Sequence, residues 1–241
     1  MEQMSSEGLL LKPIARYEGL LPEKFGLPRQ SGLVPELTGQ IVFLEGFRMP
    51  EALRGLDTFS HIWLIWEFSQ NKTWSPTVRP PRFGGNKRLG VFATRTPFRP
   101  NPLGLSVVKL EKILWDSPTG PRLVVSGADL MDGTPIYDIK PYVPYADIRE
   151  EATCGFAPSP DKTLDVDFPE SLLNQIPEAQ RRALIGVLAQ DPRPHYQNDP
   201  GRIYGMDFGS FNIKFKVADT TLSVIAVERR SGIPDNKEIK K

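Results

Sequence analysis

A mainly β fold, with a single-sheet barrel followed by a small α+β domain, is what this sequence predicts, and three observations predict it. Short apolar runs separated by turn residues recur through the first two thirds of the chain. Proline (24) and glycine (20) are abundant among the 241 residues, which favours turns and irregular connections over long helices. Helical periodicity is confined to one short stretch early in the chain and a longer one late in it.

Taken in order, the expected strands are Leu9–Arg16, Gln40–Leu44, His61–Phe68, Gly90–Thr94, Leu105–Trp115, Arg122–Ala128 and Ile136–Tyr142. In the third, Ile62, Leu64, Trp66 and Phe68 share one face by the two-residue period, and His61, Trp63, Ile65 and Glu67 share the other. A short helix is expected near Pro50–Leu56, with proline in its first turn. Seven strands with so little helix argue for a barrel or a sandwich, and a barrel is preferred because it leaves no edge strand exposed.

Gly155–Pro169 reads as a linker, so the chain divides into a barrel domain over residues 1–155, a small α+β domain over 156–231 and a tail over 232–241. In the second domain Ser171–Ala189 is expected to be helical, with Leu184, Ile185, Val187 and Leu188 on one side. Two strands are expected to close the chain, one carrying Phe211, Ile213, Phe215 and Val217 on one face, the other spanning Thr221–Glu228.

Composition excludes several classes. The formal net charge of +1 carries no bulk cationic signature, so no DNA binding is expected. No apolar run reaches the roughly 20 residues of a membrane helix, and the start lacks the basic region of a signal peptide, so a cytoplasmic location is expected. The single Cys154 forms no disulfide within the chain. No glycine-rich dinucleotide loop or Walker motif is present. Two histidines and one cysteine, far apart, argue against a metal site, and neither histidine accompanies a nucleophile elbow.

The neutral total hides an asymmetry. Between Glu67 and Glu111 there is no acid, yet the stretch carries Lys72, Arg79, Arg82, Lys87, Arg88, Arg95, Arg99 and Lys109. A locally positive face on a neutral protein suits an anionic ligand that must be placed rather than merely attracted. Within it lies ATRTPFRPNPLGLS, residues 93–106, in which Thr96, Arg99 and Asn101 each precede a proline and are driven toward extended backbone. Such a stiff loop can hold Arg95 and Arg99 for bidentate contact with a carboxylate or phosphate. Asn101 offers both a donor and an acceptor.

A second cluster, DLMDGTPIYDIKPY, covers residues 129–142 and contains the tight-turn signal Asp132-Gly133. Asp138, Lys140 and Tyr142 then share one strand face, forming either a salt-bridged rim or an acid–base array facing a pocket, the latter preferred.

These two motifs, together with KFGLPRQSGLV (24–34) and LRGLDTFSHIWLIWEF (53–68), resemble the TsaA-like family of tRNA (adenosine-37-N6)-methyltransferases. LAQDPRPHYQNDPGRIYGM (188–206) is similar to the extra domain of its bacterial members. The resemblance implies a β-barrel enzyme that uses S-adenosyl-L-methionine to methylate N6 of threonylcarbamoyladenosine at position 37, in the anticodon loop of tRNA-Thr, and that forms homodimers. It implies cofactor contacts from Arg95, Arg99, Asn101, Leu103, Gly104, Leu105, Asp132 and Thr134, and catalytic roles for Asp138, Tyr142 and Asn101. Arg29, Gln30, Lys72, Arg79, Arg82, Lys87 and Arg88 would meet the substrate or the tRNA, with Trp74 or Phe83 stacking on a base. The alternatives are a barrel that binds cofactor and RNA without catalysis, and a methyltransferase for another modified nucleoside.

Overall fold

The computed structural model describes residues 8–80, 87–157, 162–193 and 199–232. Strands β1 (Ala15–Glu18), β2 (Thr38–Phe43) and β3 (His61–Glu67) are followed by the two-residue pair β4 (Thr77–Val78) and β5 (Leu89–Gly90). Then come β6 (Leu103–Leu114), β7 (Arg122–Ser126) and β8 (Pro135–Pro141). Six of these close a barrel in the order β1-β2-β7-β6-β3-β8, and every neighbouring pair is antiparallel. Two-residue alternation sends Tyr17, Ile41, Ile62, Leu64, Trp66, Val108, Leu123 and Ile136 into a single core.

A single helical turn, α1 (Pro144–Asp147), leads into the second unit. There β9 (Asp165–Asp167), α2 (Glu170–Leu173), α3 (Glu178–Ala189), β10 (Tyr204–Phe208), β11 (Phe211–Ala218) and β12 (Thr221–Arg229) form one helix-backed sheet in the order β10-β11-β12-β9. Among the described residues no helix is long and apolar enough to cross a membrane.

The barrel matches the expected class, with four local corrections. The chain enters β1 only at Ala15, not at Leu9. Gly90–Thr94 is not a strand: Val91–Ala93 form a 3-10 turn, closed by the Thr94 N–H and hydroxyl, both donating to the Val91 carbonyl. The expected helix at Ser171–Ala189 is broken: it stops at Leu173 and resumes at Glu178 after Pro177, which has no N–H to donate and disfavours helical backbone in the residue before it. The closing sheet has four strands rather than two. Tyr204, Met206 and Phe208 point inward from β10, while β9 pairs in parallel with β12 inside the stretch expected to be a linker.

The second core is not built from the second half of the sequence alone. Leu20, Leu21, Val34 and Leu37, from the connection between β1 and β2, are buried together with Leu184, Leu188, Met206 and Phe215. Residues 20–37 therefore belong to both units.

Candidate active site at one end of the barrel

Strand direction gathers the motifs. β1, β3 and β7 run toward one end of the barrel, and β2, β6 and β8 start there, so the connections 19–37, 68–102 and 127–134 all emerge at that end. These three connections carry the Arg29-Gln30 motif, the proline-rich cationic loop and the Asp129–Thr134 turn.

Backbone hydrogen bonds fasten the first connection to the third. Gly127, at φ +75°, turns the chain out of β7 where a side chain would be strained. Its N–H donates to the Leu37 carbonyl at 3.0 Å, and its carbonyl accepts from Gly32 at 2.8 Å. Asp132 N–H reaches the Leu21 carbonyl at 2.8 Å, and the Asp132 carboxylate accepts from the Gly19 N–H at 3.0 Å. Thr134, buried, donates its hydroxyl to the Met131 carbonyl. Asp132 and Thr134 thus shape the turn.

The proline-rich loop is strapped down differently. Asn71 donates its amide to the Pro97 carbonyl at 2.8 Å and to the Thr73 carbonyl at 2.6 Å. Arg99 turns inward on its own loop, donating to the Thr94 carbonyl at 2.6 Å and the Val91 carbonyl at 3.3 Å. Arg95 remains exposed and donates to the side-chain oxygen of Gln30, which joins the second motif to the first. Asn101 is exposed at the entrance to β6. The β6–β7 ladder begins only at the Lys109 and Ser126 pair, so Leu103, Gly104 and Leu105 run past the end of β7 with one backbone edge outside that ladder.

Beneath these loops a polar chain runs from the buried Trp66 and Ser106 to the partly buried Asp129. The Trp66 indole N–H donates to Ser106 Oγ at 2.9 Å, and the Ser106 hydroxyl donates to Asp129 Oδ1 at 2.6 Å. Burial pushes the Asp129 carboxyl up, and the Ser106 hydroxyl, the Arg95 charge and the Ser31 N–H pull it back only part way. Burial also raises the Tyr17 phenol of β1, aided by the nearby Asp132 and Asp129 charges. Asp129, Ser106, Trp66 and Tyr17 were not singled out as site residues from the sequence. Asp129 opens the turn motif and Ser106 closes the loop motif, but nothing in the spacing says that the two meet.

The remaining expected residues lie apart. Asp138 sits on the outer wall of the barrel, paired with Lys140 at 3.0 Å and accepting the Ile139 N–H at 2.9 Å. A shift in the β3–β8 register between Ile65 and Trp66 also places Tyr137 on that wall, where its hydroxyl donates to Glu67. Tyr142 is at the opposite end of β3, its N–H on the His61 carbonyl and its ring against Trp63. At roughly 3.3 Å per residue, about 20 Å separates it from the converging loops. Arg29 is exposed beside the second unit, where its charge helps to lower the Asp191 carboxyl. Lys72, Arg79, Lys87 and Arg88 are exposed, as is Trp74. Arg82 and Phe83 lie outside the described residues.

A family model for the tRNA-methyltransferase O N-terminal domain matches residues 17–148, and one for the C-terminal domain of the same family matches residues 161–230. The chain belongs to the tRNA-methyltransferase O family. Among its relatives, the tRNA (adenine(37)-N6)-methyltransferase of Escherichia coli K12 is 40% identical over 219 residues, covering 86% of this chain and 93% of the relative. The tRNA (adenine(37)-N6)-methyltransferase of Eikenella corrodens is 46% identical over 163 residues, covering 66% of this chain and 92% of the relative. The crystal structure of TrmO from Pseudomonas aeruginosa superposes with a TM-score of 0.77 at 35% identity, covering 95% of this chain and all of that one. Both family domains are matched here, and the segment 20–37 that packs them together falls inside the N-terminal match.

Proposed function

We propose that this chain is a cytoplasmic, S-adenosylmethionine-dependent methyltransferase acting on N6 of adenosine-37 in tRNA. We propose further that its substrate is the threonylcarbamoyl form of that adenosine, giving the N6-methyl product. The observation that carries this reading is the convergence at one barrel end of Arg95, Gln30 and Asp129 from three separate connections.

The residues present fit the cofactor. An exposed Arg95 and the amide of Asn101 suit a carboxylate and an adenine edge. The backbone edge of Leu103–Leu105 suits polar contacts to a nucleoside. When bound, the sulfonium supplies an electrophilic methyl group. The chain's own part is to orient the acceptor nitrogen and receive its proton. Because the threonylcarbamoyl carbonyl withdraws electrons from that nitrogen, a carboxylate within hydrogen-bond reach contributes strongly to the rate. Gln30 acts on the substrate through Arg95, whose guanidinium it holds.

The acid-free stretch continues from this end over the connection 68–102, and we assign the exposed Lys72, Arg79, Lys87 and Arg88 to the phosphates of the tRNA-Thr anticodon loop. We assign the outer wall of β3, β6 and β8 to contact with a second copy of the chain. Trp63, Ile65, Val107 and the 56% exposed Leu105 form an apolar stripe there, bordered by Asp138, Lys140 and Tyr142.

The test is transfer from radiolabelled S-adenosylmethionine to tRNA-Thr prepared with and without the threonylcarbamoyl group. Label confined to the modified tRNA supports the full reading. Label only in the unmodified tRNA overturns the substrate, and cofactor binding without transfer to either favours a non-catalytic barrel. Light scattering at a monomer mass would overturn the self-association.

A further inference from the structure

We propose that Asp129 accepts the proton that N6 of adenosine-37 loses as it is methylated, and that Ser106 and Trp66 are the residues that position it. The inference deepens the methyl-transfer reading above and rests on it.

The direction of the hydrogen bonds is fixed by chemistry. An indole N–H can only donate, so Ser106 Oγ accepts from Trp66, and its single proton goes to Asp129 Oδ1. The indole is itself immobile: Gly104 on β6 leaves no side chain at its side, and Phe68 packs edge-on with ring centroids 4.3 Å apart. Asp129 is thereby oriented from within the barrel, while the Gly32–Gly127 hydrogen bond holds its own connection from the outside. A carboxylate accepts at about four lone-pair sites, and these contacts leave capacity for one more donor.

Its position also separates it from the other acids. Asp138 is occupied by Lys140 and the Ile139 N–H on the outer wall. Asp132 closes its turn against the first connection, its carboxylate on the Gly19 N–H and its own N–H on the Leu21 carbonyl. Asp129 instead lies at the meeting point of the loops, only partly buried and close enough to Arg95 to feel its charge. The charged and titratable groups facing it are Arg95 from the proline-rich loop and Tyr17 from β1, with Asp132 beyond Tyr17 on its own connection.

In the step itself, the N–H electron pair stays on N6 as the new N–C bond forms, the C–S pair leaves with sulfur, and the proton passes to Asp129. The carboxylic acid then returns that proton to water. Burial that favours the protonated carboxyl makes Asp129 a better acceptor than a solvated aspartate.

The experiment is single-turnover transfer across pH by the full chain, using whichever adenosine-37 tRNA the wild type methylates. Calorimetry with S-adenosylmethionine and thermal melting accompany it. Asp129→Asn is expected to lower the transfer rate by about 100-fold or more, the lower range for a general base, with the S-adenosylmethionine affinity unchanged. Ser106→Ala removes a donor that lowers the Asp129 carboxyl, so the acidic limb of its rate profile moves to higher pH. Near-wild-type transfer by a folded Asp129→Asn overturns the proposal, as does loss of cofactor binding in that variant. If Asp129→Asn does not fold, the Ser106→Ala profile decides, and an unmoved limb overturns the assignment. Wild-type transfer confined to unmodified adenosine-37 would instead sink the threonylcarbamoyl reading, leaving Asp129 to be judged on that substrate.

Discussion

Gly104 and Trp66 share the space of one side chain: a Cβ on Gly104 would stand 2.3 Å from the indole, closer than real contacts allow. Gly104 lies on β6 opposite Trp66 on β3, and the ring it admits is the one that holds Ser106. Gly104→Ala should therefore cost about 1–3 kcal/mol, the usual range for an overpacked core. At about 2–4 °C per kcal/mol for domains of 150–250 residues, thermal melting would show a clear drop. Adding Trp66→Phe should recover part of it; strict additivity of the two changes would locate the strain elsewhere.

The Arg95–Gln30 bond ties two loops that are 65 residues apart in sequence. Gln30→Ala should raise the KM for tRNA modestly and Arg95→Ala should raise it more. The double variant should resemble Arg95→Ala alone, because groups in one network are not additive. Steady-state kinetics on all three variants checks this. Independent, multiplying effects would mean that Gln30 acts directly on substrate.

Alkaline stability should depend on Tyr137. Its hydrogen bond to Glu67, with burial and the Glu67 charge assisting, pushes the phenol up to about 12 from an ordinary value of 10.0. A folded-state value above the unfolded one stabilises fully below pH 10 and is lost as pH rises toward 12. Denaturant midpoints followed from pH 9 to 12 should fall less steeply for Tyr137→Phe than for the wild type. Parallel curves would show that the bond adds nothing.

Gly26 has φ +92°, and a Cβ there would meet the Met206 sulfur at 2.3 Å. Gly26→Ala carries two costs, left-handed backbone strain of about 1–3 kcal/mol and a collision with a flexible side chain. Met206→Ala in the same protein should relieve only the second. A double variant as stable as Met206→Ala alone would show that the backbone at Gly26 had moved.

The barrel was legible because half-buried strands carry their partners in their own period: His61–Phe68 read correctly to within a residue from its alternation. β10 had the same signal, with Tyr204, Met206 and Phe208 alternating, but it followed a run of turn residues and went unread. The Gly90–Thr94 stretch failed for another reason, since its threonine hydroxyl closes a local turn that competes with strand pairing. At the site, the two loop motifs were visible as rigid and polar. Their junction through Ser106 and Asp129 was not, because strand order in a closed barrel decides which loops meet. Arg99, whose chemistry suits a ligand, also ties down its own loop through the Thr94 carbonyl, a contact its sequence position does not announce.

Residues 20–37 send Leu20, Leu21, Val34 and Leu37 into the second core, while Gly32 and Leu37 keep backbone hydrogen bonds to Gly127 at the mouth of the barrel. Each of those apolar side chains contributes about 1.5–3 kcal/mol by burial, all of it forfeited when the second unit opens. Melting the C-terminal sheet should thus unfasten the barrel mouth, so the two units are expected to lose structure in a single cooperative transition, which calorimetric and van't Hoff enthalpies in agreement would show.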